Sequence, residues 1–204
     1  MEAKKYSKNS AILRKIVVFL IITCTSLGMW GQTMLWKKIV PWEILKNEAI
    51  KGDKDAQYLV GKIYLEGSDV YFTNSPGILD TTIHLNAEQA VYWLRKSAEQ
   101  GVAEAEFELG NCYSLGEGVS ENNKQALYWF RRAAAQEHSL AQANLGVYYQ
   151  EGYGVEKDGN TALYWYEKAA KNKDKTLGDN ESAIKQLIKD LKIEGYSSSR
   201  AQIN

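Results

Sequence analysis

The sequence predicts an all-α fold, an α/α repeat solenoid of three helix pairs with partial helices capping both ends. Two observations carry this. First, Leu109–Ala134 and Leu145–Ala170 match without a gap at an offset of 36, with 12 of 26 positions identical. Second, apolar residues inside each copy recur at helical spacing, and glycines divide each copy into halves. A fixed period of this length points to stacked supersecondary units rather than to one globular core.

The first half of a copy carries Ala105, Leu109 and Tyr113, then Ala141, Leu145 and Tyr149, with Gly110 and Gly146 between them. Spacing of i, i+4, i+8 lines one face of a helix. "GEGV" and "GYGV" follow, and Gly116, Gly118, Gly152 and Gly154 stop the helix and turn the chain. The second half carries Ala126, Trp129, Phe130, Ala133 and Ala134, matched by Ala162, Trp165, Tyr166, Ala169 and Ala170. Asn122, Asn123, Asp158 and Asn160 supply N-cap candidates before it.

A third copy lies upstream. Its first half, Ala56 to Gly67, aligns at an offset of 49, and its second half, Ala90 to Gly101, at 36. The difference places an insertion at 68–86 between the two helices. Leu45, Ala49 and Gly52 continue the second-half pattern as a half-unit begun near Pro41. Ala183, Leu187 and Leu191 continue the first-half pattern, with Ile188 where each full copy has glycine, so this helix closes the array. The resulting organisation is a leader at 1–28, a linker at 29–40, an array at 41–196 and a tail at 197–204. Within the array, the half-unit is 41–53, the repeats are 54–101, 102–137 and 138–173, and the capping helix is 180–195. Gly61, Gly110 and Gly146 are expected to admit alanines of the partner helix. Trp93, Trp129 and Trp165 are expected to fill the space between pairs, with Tyr92, Tyr128 and Tyr164 bordering them.

The leader is basic at Lys4, Lys5, Lys8, Arg14 and Lys15, then apolar or nearly so from Ile16 to Trp30. Those 15 residues would span about 22 Å as a helix, short of a roughly 30 Å hydrocarbon core. This fits a signal peptide cut before Met29, with Gly31–Gln32 as a second site and an uncut anchor in the inner membrane as the alternative. The chain is therefore expected to be exported, periplasmic or secreted in a bacterium. Beyond the leader, 20 basic and 24 acidic residues remain, net −4, which disfavours nucleic acid as a partner. Cys112 is then the remaining cysteine, so no disulfide framework holds the fold, and it reads as a small apolar filler. His84 and His138 have no metal-ligand spacing, and no hydrolase or phosphate-loop motif appears, so neither cofactor nor metal is expected.

The pattern A-x-x-x-L-G-x-x-Y, G-x-G-V, A-x-x-W, A-A resembles the Sel1-like repeat, a relative of the tetratricopeptide repeat, over about Ala56 to Lys173. The first copy departs from it by lacking G-x-G-V after Gly67, and Glu137 stands where Gly101 predicts glycine. The paired cysteines of one exported branch are absent. The resemblance implies a right-handed superhelix and a non-enzymatic scaffold or adaptor that binds a protein or peptide on its concave face. By analogy with the tetratricopeptide groove, the partner-binding residues would be Tyr58 and Lys62, Phe107 and Asn111, Ala143 and Val147. The insertion, with Tyr71, Phe72, Pro76 and Ile83, is a second candidate surface. An exported hydrolase acting on the cell envelope or on β-lactam-type substrates is the alternative function. Oligomeric state and partner are not encoded in these patterns.

Overall fold

A computed structural model describes residues 42–67, 85–172 and 177–201. The leader, the linker, Pro41 and most of the insertion lie outside the described residues. Two compact units divide the chain, one of residues 1–43 and 70–82 and one of residues 44–69 and 83–204. Of the first unit, Trp42 and Glu43 are described.

The described chain is helical, with no strand among the described residues. In order the helices are α1 (Trp42–Ile50), α2 (Lys54–Glu66), α3 (Ala87–Glu99), α4 (Ala103–Leu115), α5 (Asn123–Ala135), α6 (Ser139–Glu151), α7 (Gly159–Lys171) and α8 (Glu181–Ile193). Each first-half helix packs on the second-half helix next in the chain, giving the pairs α2·α3, α4·α5 and α6·α7. Each pair also packs on the next, through α3·α4 and α5·α6, and α8 packs on α7. This is an α/α repeat solenoid.

The caps follow from the sequence. Asn86, Asn122 and Asp158 each turn a side-chain oxygen onto a backbone N–H of the helix they precede. Asn86, at the end of the insertion, therefore starts α3 as Asn122 starts α5. Gly116 and Gly152 end α4 and α6 in the left-handed conformation. Glu137 holds the position of Gly52 and Gly101, and it too takes positive φ, 63°. The helix end there survives without its glycine.

The cores lie between repeats. One joins Val91, Leu94 and Ala98 of α3 to Ala105, Leu109 and Cys112 of α4, with Trp129 of α5. The next joins Ala126, Phe130 and Ala133 of α5 to Ala141, Leu145 and Tyr148 of α6. The last runs from α6 and α7 to Ile184 and Leu191 of α8. Burying a leucine or phenylalanine fully, as at Leu94, Leu109 and Phe130, contributes about 1.5–3 kcal/mol each. No hairpin holds such a core alone, which ties stability to stacking.

Three details differ from the sequence reading. Gly61, Gly110 and Gly146 admit Leu94, Phe130 and Tyr166 rather than alanines: a Cβ on Gly110 would lie 2.6 Å from the Phe130 ring. Trp93 and Trp129 are buried, Trp129 in the core of α3 and α4, but Trp165 is half-buried where it borders the core of α5 and α6. In α8 the inward stripe is Ile184, Leu187, Ile188 and Leu191, and Ala183 is exposed.

Candidate functional site

The six groove residues lie on α2, α4 and α6, two to a helix, at matching positions of three repeats. Tyr58, Lys62, Phe107, Asn111 and Val147 are half-buried, and Ala143 is buried at 7% exposure. They differ in what they touch. Phe107 stacks on the His138 imidazole at 4.6 Å between ring centres and lies 6.0 Å from the Phe130 ring, so it is already in contact with the next repeat. Ala143 and Val147 join the core that runs to α8. Tyr58 borders the core of α3 and α4.

The polar members form a run that crosses three helices. Lys62 Nζ donates to Glu108 Oε1 at 2.6 Å and pairs with Glu66 at 2.8 Å. Asn111 Nδ2 donates to Glu108 Oε2 at 3.3 Å, and Asn144 Nδ2 donates to Asn111 Oδ1 at 3.4 Å. Glu108 and Asn144 are thus polar neighbours of this face that the groove analogy missed. They occupy one repeat position, a helical turn before Asn111 and Val147, and the 36-residue register would have found them.

Burial works against the Lys62 ammonium, but Glu108 and Glu66 outweigh it and its pKa is raised. Burial also raises the Tyr58 phenol; Lys62 opposes that shift, and Glu108, Glu104 and Glu66 add to it. Asp55 is raised by burial and by Asp53 and Glu104, against the opposing Lys54. Around neutral pH the face therefore carries an ammonium and a neutral phenol beside the acidic side chains of α2 and α4, passing to amides and apolar groups on α6. Such a surface can offer hydrogen bonds and apolar contact. The Cys112 thiol is fully buried, and burial with Glu108 and Glu117 nearby pushes it up to about 12. Among the described residues, no group of three or more His, Cys, Asp or Glu side chains is placed to hold a metal ion. His138 instead caps α6, its Nδ1 accepting from the Ala141 N–H at 3.3 Å.

A second repeating network lies at the other end of the hairpins. Gln57, Glu106 and Gln142 are equivalent and buried. Each accepts from the residue just past its partner helix: Gln100 at 2.7 Å, Gln136 at 2.8 Å and Asn172 at 3.2 Å. Gln57 and Gln142 also donate to a carbonyl eight residues back, at Ala49 and Ala134. Glu106 has no proton to give, and Arg132 supplies the bond instead, donating to Ala98 O at 3.3 Å while pairing with Glu106 at 2.8 Å. Where the other repeats have Gln with Lys96 or Lys168, this one has Glu with Arg. This network fixes hairpin geometry and is structural.

On the outer face Tyr92 and Tyr128 are about half exposed, each edge-on to its neighbouring tryptophan, as Tyr164 is to Trp165. Among the described residues, no helix is long and apolar enough to cross a membrane.

Comparison with known proteins places this arrangement. The family model described as "Sel1 repeat" matches residues 54–72, 79–102, 103–138 and 139–174. A Sel1 repeat protein from Oxalobacter formigenes is similar in structure, at 33% identity and a TM-score of 0.54, covering 65% of this chain and 91% of that one. A protective antigen of uropathogenic Escherichia coli strains, c5321, which displays an SLR fold, is 27% identical with a TM-score of 0.45, covering 79% of this chain and 44% of that one. No curated protein matches the chain. Sel1 repeat proteins are generally protein-interaction scaffolds, and their fold is typically non-catalytic. With four matches that together take in more than half of its residues, the chain belongs to the Sel1 repeat family.

Proposed function

We propose that this protein is an exported, non-enzymatic scaffold that holds a partner protein or peptide against the face formed by α2, α4 and α6. Tyr58, Lys62, Asn111 and Val147 would make the contacts, with Phe107 and Ala143 as the floor beneath them. The observation that carries the reading is the polar run from Lys62 through Glu108 and Asn111 to Asn144, which joins three repeats into one surface. Surfaces of this kind suit an extended ligand, because each repeat offers the same positions at a regular step. The basic and apolar leader supports export. Whether the leader is cut or anchors the chain in the inner membrane is a separate question for N-terminal sequencing.

The test is site-specific crosslinking in the source cell. A photoactivatable residue at Asn144 is expected to capture a partner, and one at Tyr128 on the outer face is not. Adding Tyr58→Ala and Lys62→Ala should abolish capture from Asn144 while leaving the helical circular dichroism unchanged. Equal capture from both positions, or capture that survives the double change, refutes the groove assignment.

A further inference from the structure

The face formed by α2, α4 and α6 changes its chemistry along the array. Asp55, Glu104 and Leu140 hold one repeat position, and Lys62, Asn111 and Val147 hold another two turns on. The acids therefore lie over α2 and α4. Over α6 lie Leu140 and Val147, both half-buried at the edge of the last core. The one acid of α6, Glu151, pairs with Lys157 at 3.7 Å.

Two of the acids stand without a counter-ion. Glu66 and Glu108 pair with Lys62, and Asp53 caps α2 by accepting from the Ala56 N–H at 2.8 Å. Asp55 and Glu104 make no ion pair among the described residues. Burial first, then Asp53 and Glu104, raise the Asp55 pKa against Lys54, so the neighbouring carboxylates work against each other. The Tyr58 phenol lies within the field of Glu108, Glu104 and Glu66. Its hydroxyl has no hydrogen-bond partner among the described residues.

Charge is segregated over the whole array as well. Helices α2, α4 and α6 carry six acidic and two basic residues, a net −4. Helices α3, α5 and α7 carry three acidic and seven basic residues, a net +4. A cationic partner is drawn to the first face and turned away from the second. Among the described residues no three acids are grouped to hold a metal ion. A Lys or Arg side chain needs only one or two carboxylates.

We infer that the face is directional: it seats an extended segment with a Lys or Arg side chain beside Tyr58, Asp55 and Glu104, and an apolar side chain over Leu140 and Val147. Neighbouring helices of the face stand about 10 Å apart, and an extended chain advances about 3.3–3.6 Å per residue. The two anchors of the partner are thus about three to five residues apart. The inference rests on the groove reading and adds the chemistry of the partner to it.

Selection of a random peptide library on the purified full chain tests it. Enriched peptides should carry Lys or Arg about three to five residues from Leu, Ile or Phe, and should crosslink to a photoactivatable residue at Asn144. Asp55→Asn with Glu104→Gln should weaken their binding about 10-fold, with Tm held within about 2 °C. The same change of net charge on α3, Glu88→Gln with Glu99→Gln, should leave binding unchanged. Peptides that crosslink from Asn144 but lack the basic residue, or that bind the two double variants alike, overturn the inference and leave the groove reading standing. If no enriched peptide crosslinks from Asn144, the groove reading fails and the inference falls with it.

Discussion

Glu106 and Arg132 allow an asymmetric prediction. The Glu106 side chain is 1% exposed, while that of Arg132 is 34% exposed. Changing Arg132→Met keeps the aliphatic stem beside Trp129 and removes the charge. It leaves the carboxylate with the Gln136 amide as its remaining side-chain partner, and leaves Ala98 O without its side-chain donor. Stranding a buried charge in this way costs about 3–5 kcal/mol. The reverse change, Glu106→Gln, restores the residue found at Gln57 and Gln142. The amide can accept from Gln136 and donate to Ala98 O, and Arg132 can turn to water, so the expected cost is about 1 kcal/mol or less. Glu106→Gln with Arg132→Lys reproduces the pairing of the other two repeats and should be nearly neutral.

Urea denaturation measures all three. With a slope of about 2 kcal/mol/M, Arg132→Met should move the midpoint down by about 1.5–2.5 M, and Glu106→Gln by about 0.5 M or less. The pH dependence adds a second signature. Burial raises the Glu106 pKa, against the opposing Gln136 and Arg132. A carboxyl whose folded pKa is raised favours folding below its unfolded value, and that contribution is lost as pH rises through the folded value. Removing Arg132 raises it further, so the Arg132→Met deficit should shrink between pH 7 and pH 4.5. The reasoning fails if Glu106→Gln costs as much as Arg132→Met, or if the deficit is the same at both pH values.

Three further outcomes rest on the same geometry. Gly146→Ala places a methyl group 2.4 Å from the Tyr166 ring, whose hydroxyl is tied to Gln150 at 2.8 Å, and should cost about 1–3 kcal/mol by calorimetry, more than Gly61→Ala, whose closest approach is 2.8 Å, to Leu94 Cγ. Cys112 should resist a thiol reagent at pH 8 in the native protein and react at once in urea, since its thiol is buried and raised to about 12. The Glu167 pKa is lowered by hydrogen bonds from Lys192 and Ser198, against some burial, so its contribution to stability is present above about pH 4.5 and lost as pH falls through the folded value; Glu167→Gln should flatten that part of the curve by well under 1 kcal/mol, Lys192 being half exposed.

The helix pairs were legible because periodicity and glycine spacing are local signals repeated three times, and repetition averages away the noise of any one copy. Asn122 and Asp158 could be read as caps from type and place alone, whereas Asn86, read as the last residue of the insertion, shows as one in the structure. The group facing a glycine could not. Whether Gly110 admits Ala133 or Phe130 depends on how far α5 is rotated, and both residues lie on one stripe. Rotation also separates Ala183 from Ile184 in α8, neighbours about 100° apart. The analogy put Tyr58, Lys62 and Asn111 at matching positions of the first-half helices, but Phe107 reads the same in sequence whether it awaits a ligand or stacks on His138. The Gln57, Glu106 and Gln142 series went unread although it keeps the repeat register; its meaning needed the carbonyls eight residues back.

The glycine turns also bear on how such a chain can lengthen. A duplicate of residues 103–138 slipped in ahead of Ser139 would set Gly118 of the copy on the backbone of the original Asn123, and Gly154 on that of the copied one, as Gly154 already sits on Asn123. Each new seam would repeat a contact that the molecule already makes.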